Sequence, residues 1–79
     1  MNSEISSEVR WAKAGLSVSM EFLEKAYQIS KRENLKKEDL VHLYDCLRLS
    51  EKHALHIARK LNLIRKRILK FFGGEEDGD

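Results

Sequence analysis

The longest regular pattern of this 79-residue chain lies in KEDLVHLYDCLRLSEKHALHIARKLNLIRKRILKFF, residues 37–72. Alternating steps of three and four residues meet an apolar side chain or alanine at nine of ten positions. Such spacing is typical of a heptad stripe, along which one helix packs against another. It predicts one continuous helix, about 54 Å long at about 1.5 Å per residue. The ten positions are Leu40, Leu43, Leu47, Ser50, Ala54, Ile57, Leu61, Ile64, Ile68 and Phe71.

The same spacing selects a second stripe upstream of a polar break at residues 31–39. Asn34 tolerates the left-handed conformation that ends helices, and Glu38 and Asp39 suit the positive N-terminal end of the next helix. A chain folded back at Asn34 would bring the two stripes together as an antiparallel helical hairpin. The second stripe comprises Ile5, Val9, Ala12, Leu16, Ser19, Leu23, Ala26 and Ser30.

This hairpin leaves several large side chains without a partner in the same chain. A second copy could cover them in a four-helix bundle, so we expect a homodimer. The side chains concerned are Trp11, Val18, Phe22, Tyr44, Leu55 and Phe72.

Composition supports an all-α fold. The chain has no proline, and three of its four glycines fall in the last seven residues, so the turn residues of a β-rich fold are missing. We expect a single helical domain over residues 1–72 and a disordered acidic tail over 73–79. One cysteine excludes an internal disulfide framework, and neither a signal peptide nor an apolar run of about 20 residues is evident. These features indicate a reduced, cytoplasmic protein without a membrane segment.

An alternative division of the chain uses shorter helices. Weak helix formers at residues 15–19 would separate a short helix over 4–14 from a longer one over 20–33. Further along, Ser50 can cap a new helix and Asn62 can form a tight turn. The sequence leaves this division and the long hairpin both open.

Charge is strongly segregated beneath the formal net charge of +2. Residues 48–70 carry eight basic side chains against one acidic one, whereas residues 73–79 carry four acidic ones. A helical segment this basic could approach nucleic acid or an acidic partner.

Part of this basic segment has an ordered apolar pattern. Ala58 would let two short helices approach, Leu61 and Leu63 would bury the turn between them, and Ile68 and Phe71 would pack the second helix against the first. The whole pattern comprises Ile57, Ala58, Leu61, Asn62, Leu63, Ile68 and Phe71. Residues 50–72 thereby resemble the helix-turn-helix DNA-binding proteins. The resemblance implies a recognition helix over 64–72 and a dimer on paired half-sites of duplex DNA. It implies that Arg65, Lys66 and Lys70 reach bases or phosphates, with Arg67 close by and Arg59 and Lys60 on the DNA backbone.

A weaker resemblance involves residues 13–19, KAGLSVS, which alternate polar residues with small or apolar ones ahead of a helix, Asn34 and a second helix. This order resembles the ribbon-helix-helix regulators. It implies a short strand that points Lys13, Gly15 and Ser17 into the DNA groove.

Catalytic and metal-binding patterns are weak. His42, Cys46, His53 and His56 would lie along one side of a continuous helix, but they form no compact set of four ligands. The sequence has no glycine-rich phosphate loop and no Ser/His/Asp constellation. We therefore expect neither an enzyme nor a bound metal or cofactor.

The sequence thus predicts a small DNA-binding regulator that acts through its basic C-terminal third. The alternative is a helical hairpin that self-associates or binds a protein partner without nucleic acid.

Overall fold

The computed structural model describes residues 2–71 and 73, and it consists of two helices within these residues. Helix α1 spans Asn2–Ser30 and helix α2 spans Lys37–Phe71. Contacts between the helices run in opposite order along the two sequences, from Glu8 with Arg67 to Ser19 with Ser50. The helices are therefore antiparallel, and the predicted all-α hairpin is confirmed.

Both helices are continuous where breaks were considered. Helix α1 runs through residues 15–19 without interruption, so the expected division into helices over 4–14 and 20–33 is wrong, as is a strand over 13–19. Helix α2 passes through Ser50 and Asn62. Weak helix propensity at these positions is overridden because each helix packs along the other over most of its length.

The connection is stabilised at the start of α2. The backbone N–H of Lys36 donates to the Asp39 carboxylate at 3.0 Å, and Arg32 forms an ion pair with the same carboxylate at 2.5 Å. Lys36 therefore acts as the N-cap residue, with Asp39 three positions later satisfying its N–H. The backbone hydrogen bond, followed by Arg32, lowers the pKa of Asp39 below its usual value. The predicted placement of Glu38 and Asp39 in the first turn is confirmed.

Small residues form most of the interface between the helices. The buried apolar set contains no large aromatic side chain, and two serines are buried with it. Gly15 leaves space for the Ile57 side chain, because a Cβ atom built at Gly15 would lie 2.3 Å from Cδ1 of Ile57. The buried residues are Ala12, Ser19, Ala26, Ile29, Cys46, Ser50, Ile57 and Ile64.

The hairpin is a single layer of helices. It extends 57 × 28 × 14 Å, and its smallest dimension is close to the diameter of one helix, about 10–12 Å. Both sides of the layer are consequently exposed. Within the described residues, neither helix is long and apolar enough to cross a membrane. Phe72 and most of the expected acidic tail, residues 74–79, lie outside the described part of the chain.

Candidate interaction surfaces

A set of exposed apolar side chains, here called the leucine face, lies along one side of the hairpin. Leu23 and Leu47 line the same groove of about 520 Å³ and keep exposures of 51% and 46%. Residues seven positions apart lie on the same side of a helix. The apolar side chains spaced in this way from Leu23 and Leu47 therefore extend the surface along both helices. The leucine face consists of Val9, Leu16, Met20, Leu23 and Tyr27 from α1 and Leu40, Tyr44, Leu47 and Leu61 from α2.

The leucine face corrects the predicted packing. Alternate residues of each predicted stripe do lie in the interface between the helices. At the remaining positions the predicted residue is mostly exposed, and the residue that precedes it in the sequence faces the other helix instead. Leu16, for example, is exposed, and its place at the interface is taken by Gly15 against Ile57. The exposed members of the predicted stripes include Val9, Leu16, Leu23, Ser30, Leu40, Leu47, Leu61 and Phe71.

Aromatic rings and histidines line the other side of the helix interface. Trp11 meets His56 edge-on with ring centroids 5.4 Å apart, and Phe22 stacks on His53 at 5.8 Å. The Lys60 ammonium lies 5.9 Å from the centre of the Trp11 ring. Trp11 nevertheless remains 49% exposed. This side of the hairpin therefore combines an accessible aromatic ring with positive charge.

Four cations follow one side of α2 next to these rings. Lys52, Arg59 and Lys66 are spaced by seven residues and Lys70 lies one turn beyond, so all four are nearly in line. We call Lys52, Arg59, Lys66 and Lys70 the basic side. Within residues 2–71, no carboxylate forms an ion pair with Lys52, Arg59 or Lys70.

The six predicted nucleic-acid-binding residues fall on different sides of α2. Arg59 and Lys70 are exposed, and Lys66 is half-buried on the same side. Lys60 turns toward Trp11, while Arg65 donates a hydrogen bond to Asn62 at 2.8 Å. Because α2 does not turn at Asn62, residues 64–71 are the last part of a long helix and not a separate recognition helix.

Arg67 closes the open end of the hairpin. Its guanidinium donates to the Glu8 carboxylate at 2.6 Å across the two helices. This hydrogen bond lowers the pKa of Glu8 and raises that of Arg67, with burial of each group opposing the shift. The contact links residues 59 positions apart, which gives Arg67 a structural role that its sequence neighbours did not indicate.

Cys46 and the histidines lie in different environments and do not contact a common site. Cys46 is buried against Ala26 and Ile29, whereas His53 and His56 pack on aromatic rings of α1. Among the described residues, no group of three His, Cys, Asp or Glu side chains is placed to hold a metal ion.

No protein-family model matches the chain, and no curated protein or solved structure shows significant similarity to it.

Proposed function

We propose that this chain is a non-enzymatic assembly protein, whose hairpin pairs with a second copy through the leucine face to form a four-helix bundle. The observation that carries the proposal is that many of the large apolar side chains are exposed, whereas most of the buried residues are small. Within the chain, five of the eight buried residues are alanine, cysteine or serine and none is aromatic, whereas the nine large apolar side chains of the leucine face are exposed. Apolar patches of this kind on small proteins commonly mark interaction sites.

The size of the leucine face fits a stable dimer. At their observed exposures of 40–68% its nine residues offer at most roughly 900 Å², and each partner in a standard interface contributes about 800 Å². A chain this short also buries too little apolar surface for a robust core of its own. Association would supply the missing burial.

The charges around the leucine face favour a second copy over a partner of opposite charge. Glu24 borders the groove beside Leu23, and Arg48 and Glu51 border the neighbouring hollow beside Leu47. This rim carries both signs, so two copies facing each other are not driven apart by like charges.

Sedimentation equilibrium tests the assembly. We expect the wild-type chain to be dimeric at micromolar concentration and the Leu23→Glu/Leu47→Glu variant to be monomeric. Leu55→Glu is the control for placing a glutamate at an exposed leucine, because Leu55 is 52% exposed but does not belong to the leucine face. A monomeric wild-type chain would contradict the proposal, as would equal loss of association in Leu55→Glu.

Binding of duplex DNA is a second candidate function, supported by the charge of the open half of the hairpin. Residues 52–71 contain seven cations and no carboxylate, and the facing residues 2–18 add two acids and two bases. A helix with cations aligned along one side can contact the phosphate backbone without reading the bases.

Fluorescence anisotropy with a labelled duplex tests this candidate. We expect binding at about 50 mM salt that weakens steeply as salt increases, because counterions are released from the DNA. The Arg59→Glu/Lys70→Glu variant should bind at least tenfold more weakly. Arg10→Glu/Lys37→Glu changes the net charge equally at exposed positions off the basic side and should bind almost as the wild type does. Equal losses in the two variants would contradict a defined basic side.

A further inference from the structure

The leucine face and the basic side lie on opposite flanks of the helix interface. Leu23 and Leu47 line the groove on one flank, and Trp11, His56 and Lys60 meet on the other. Arg59 and Lys70 continue the second flank around α2. Because the hairpin is one helical layer, covering the first flank leaves the second accessible.

Charge and apolar surface are also separated along the hairpin. Residues 19–51, next to the connection, carry six cations and seven acids, and most of the leucine face lies there. The cations of the basic side belong to the open half instead. A second copy on the leucine face would therefore leave this basic half exposed.

We propose that a dimer joined through its leucine faces holds two DNA duplexes together, one along each basic side. The inference rests on both functions proposed above. In a twofold dimer the same patch is buried on both copies, so the two opposite flanks point away from each other. One dimer thus presents two cationic surfaces facing in opposite directions.

Stiffness of DNA excludes wrapping one short duplex around both surfaces. The persistence length of a duplex is about 150 base pairs, so a duplex of about 25 base pairs stays nearly straight. It can follow one basic side but cannot reach the other side of the bundle. Two short duplexes are therefore needed to occupy a dimer.

A capture assay tests bridging separately from binding. One duplex of about 25 base pairs is fixed to beads, protein is added, and retention of a second, fluorescent duplex is measured. We expect the wild-type chain and Leu55→Glu to retain the second duplex. Leu23→Glu/Leu47→Glu should retain at least tenfold less while still binding a single duplex in anisotropy. Arg59→Glu/Lys70→Glu should lose both signals.

Sedimentation of the wild-type complex provides an independent measurement that needs no variant. Saturation with free duplex should give a particle of two chains and two duplexes. A dimer that binds only one duplex would overturn bridging while leaving both proposed functions intact. A wild-type chain that is monomeric or fails to bind DNA would overturn bridging together with the corresponding function.

Discussion

Ser19 and Ser50 face each other at the middle of the helix interface, with their hydroxyl oxygens 3.0 Å apart. The Ser19 hydroxyl also donates to the backbone carbonyl of Ser50 at 2.9 Å, and the Ser50 hydroxyl donates to that of Ser19 at 2.9 Å. Each hydroxyl has one hydrogen, so both carbonyl hydrogen bonds can form together only if the hydroxyl–hydroxyl contact carries none. Both carbonyl hydrogen bonds require Ser19 and Ser50 to lie opposite each other, so the pair favours this register of α1 against α2.

Replacing Ser50 with alanine should lower the free energy of unfolding by about 1 kcal/mol, because one buried hydrogen bond is lost while the Ser19 donor keeps its carbonyl acceptor. Urea denaturation followed by circular dichroism at fixed protein concentration measures the change. Ser17→Ala is the control, since Ser17 is exposed and, two residues from Ser19, lies on the opposite side of α1 from the interface. A stability loss in Ser17→Ala as large as that in Ser50→Ala would argue against the register role.

Gly15 should resist even a small substitution. A Cβ atom there would lie 2.3 Å from Cδ1 and 2.9 Å from Cγ1 of Ile57, so Gly15→Ala forces the buried Ile57 side chain to shift, at an overpacking cost of about 1–3 kcal/mol and a net destabilisation of up to about 2 kcal/mol. This loss opposes the gain of about 1 kcal/mol expected from better helix propensity. Thermal unfolding measures the balance of the two effects.

The compensating variant identifies the atom responsible. Ile57→Val removes Cδ1, so Gly15→Ala should cost less in the Ile57→Val background than in the wild type. Equal costs in both backgrounds would show that Cδ1 of Ile57 does not limit this position.

Sequence periodicity predicted the hairpin but only half of its interface. Ala12, Ser19 and Ala26 lie in the interface as predicted, facing α2 through Ser50 and Ile57. These positions are shared by the predicted and the observed stripes, so they follow from the spacing alone.

The other half could not be predicted because two apolar stripes lie side by side on each helix. At the paired positions Gly15 and Leu16, the heptad pattern favours the leucine, whereas close approach of the helices favours the glycine. Hydrophobicity alone does not distinguish a stripe buried within the chain from one left for a partner. The ion pair between Glu8 and Arg67 could not be predicted from the sequence either, because it joins residues that are distant in the chain.

Acid should weaken the connection between the helices. The folded state lowers the pKa of Asp39, so its contribution is fully present above the ordinary value of about 4 and is lost as pH falls through the folded pKa. Asp39→Asn should therefore reduce thermal stability at pH 7 and flatten its decline in acid. Melting temperatures across this pH range measure the effect.

Asp45→Asn makes the same change of charge at an exposed position of α2. The Asp45 carboxylate lies 3.9 Å from Arg48, a contact between two exposed side chains. We expect Asp45→Asn to retain the acid dependence of the wild type. A similar flattening in both variants would contradict the assignment to Asp39.

Arg67 and Arg59 should affect different properties although both are basic residues of α2. The Arg67 guanidinium is already engaged by Glu8, whereas Arg59 has no ion pair within residues 2–71. Arg67→Gln should speed amide hydrogen exchange at the open end of the hairpin and change DNA affinity little. Arg59→Gln should weaken DNA binding and leave the exchange rates unchanged.

Glu8→Gln separates the ion pair from the charge of Arg67 itself. Because the folded state lowers the pKa of Glu8, the pair is complete at neutral pH and is lost as pH falls through that value. Glu8→Gln should therefore reproduce the faster exchange of Arg67→Gln at pH 7 while retaining the cation. If Arg67→Gln instead weakened DNA binding as much as Arg59→Gln without faster exchange, Arg67 would belong to the basic side and not to the closure of the hairpin.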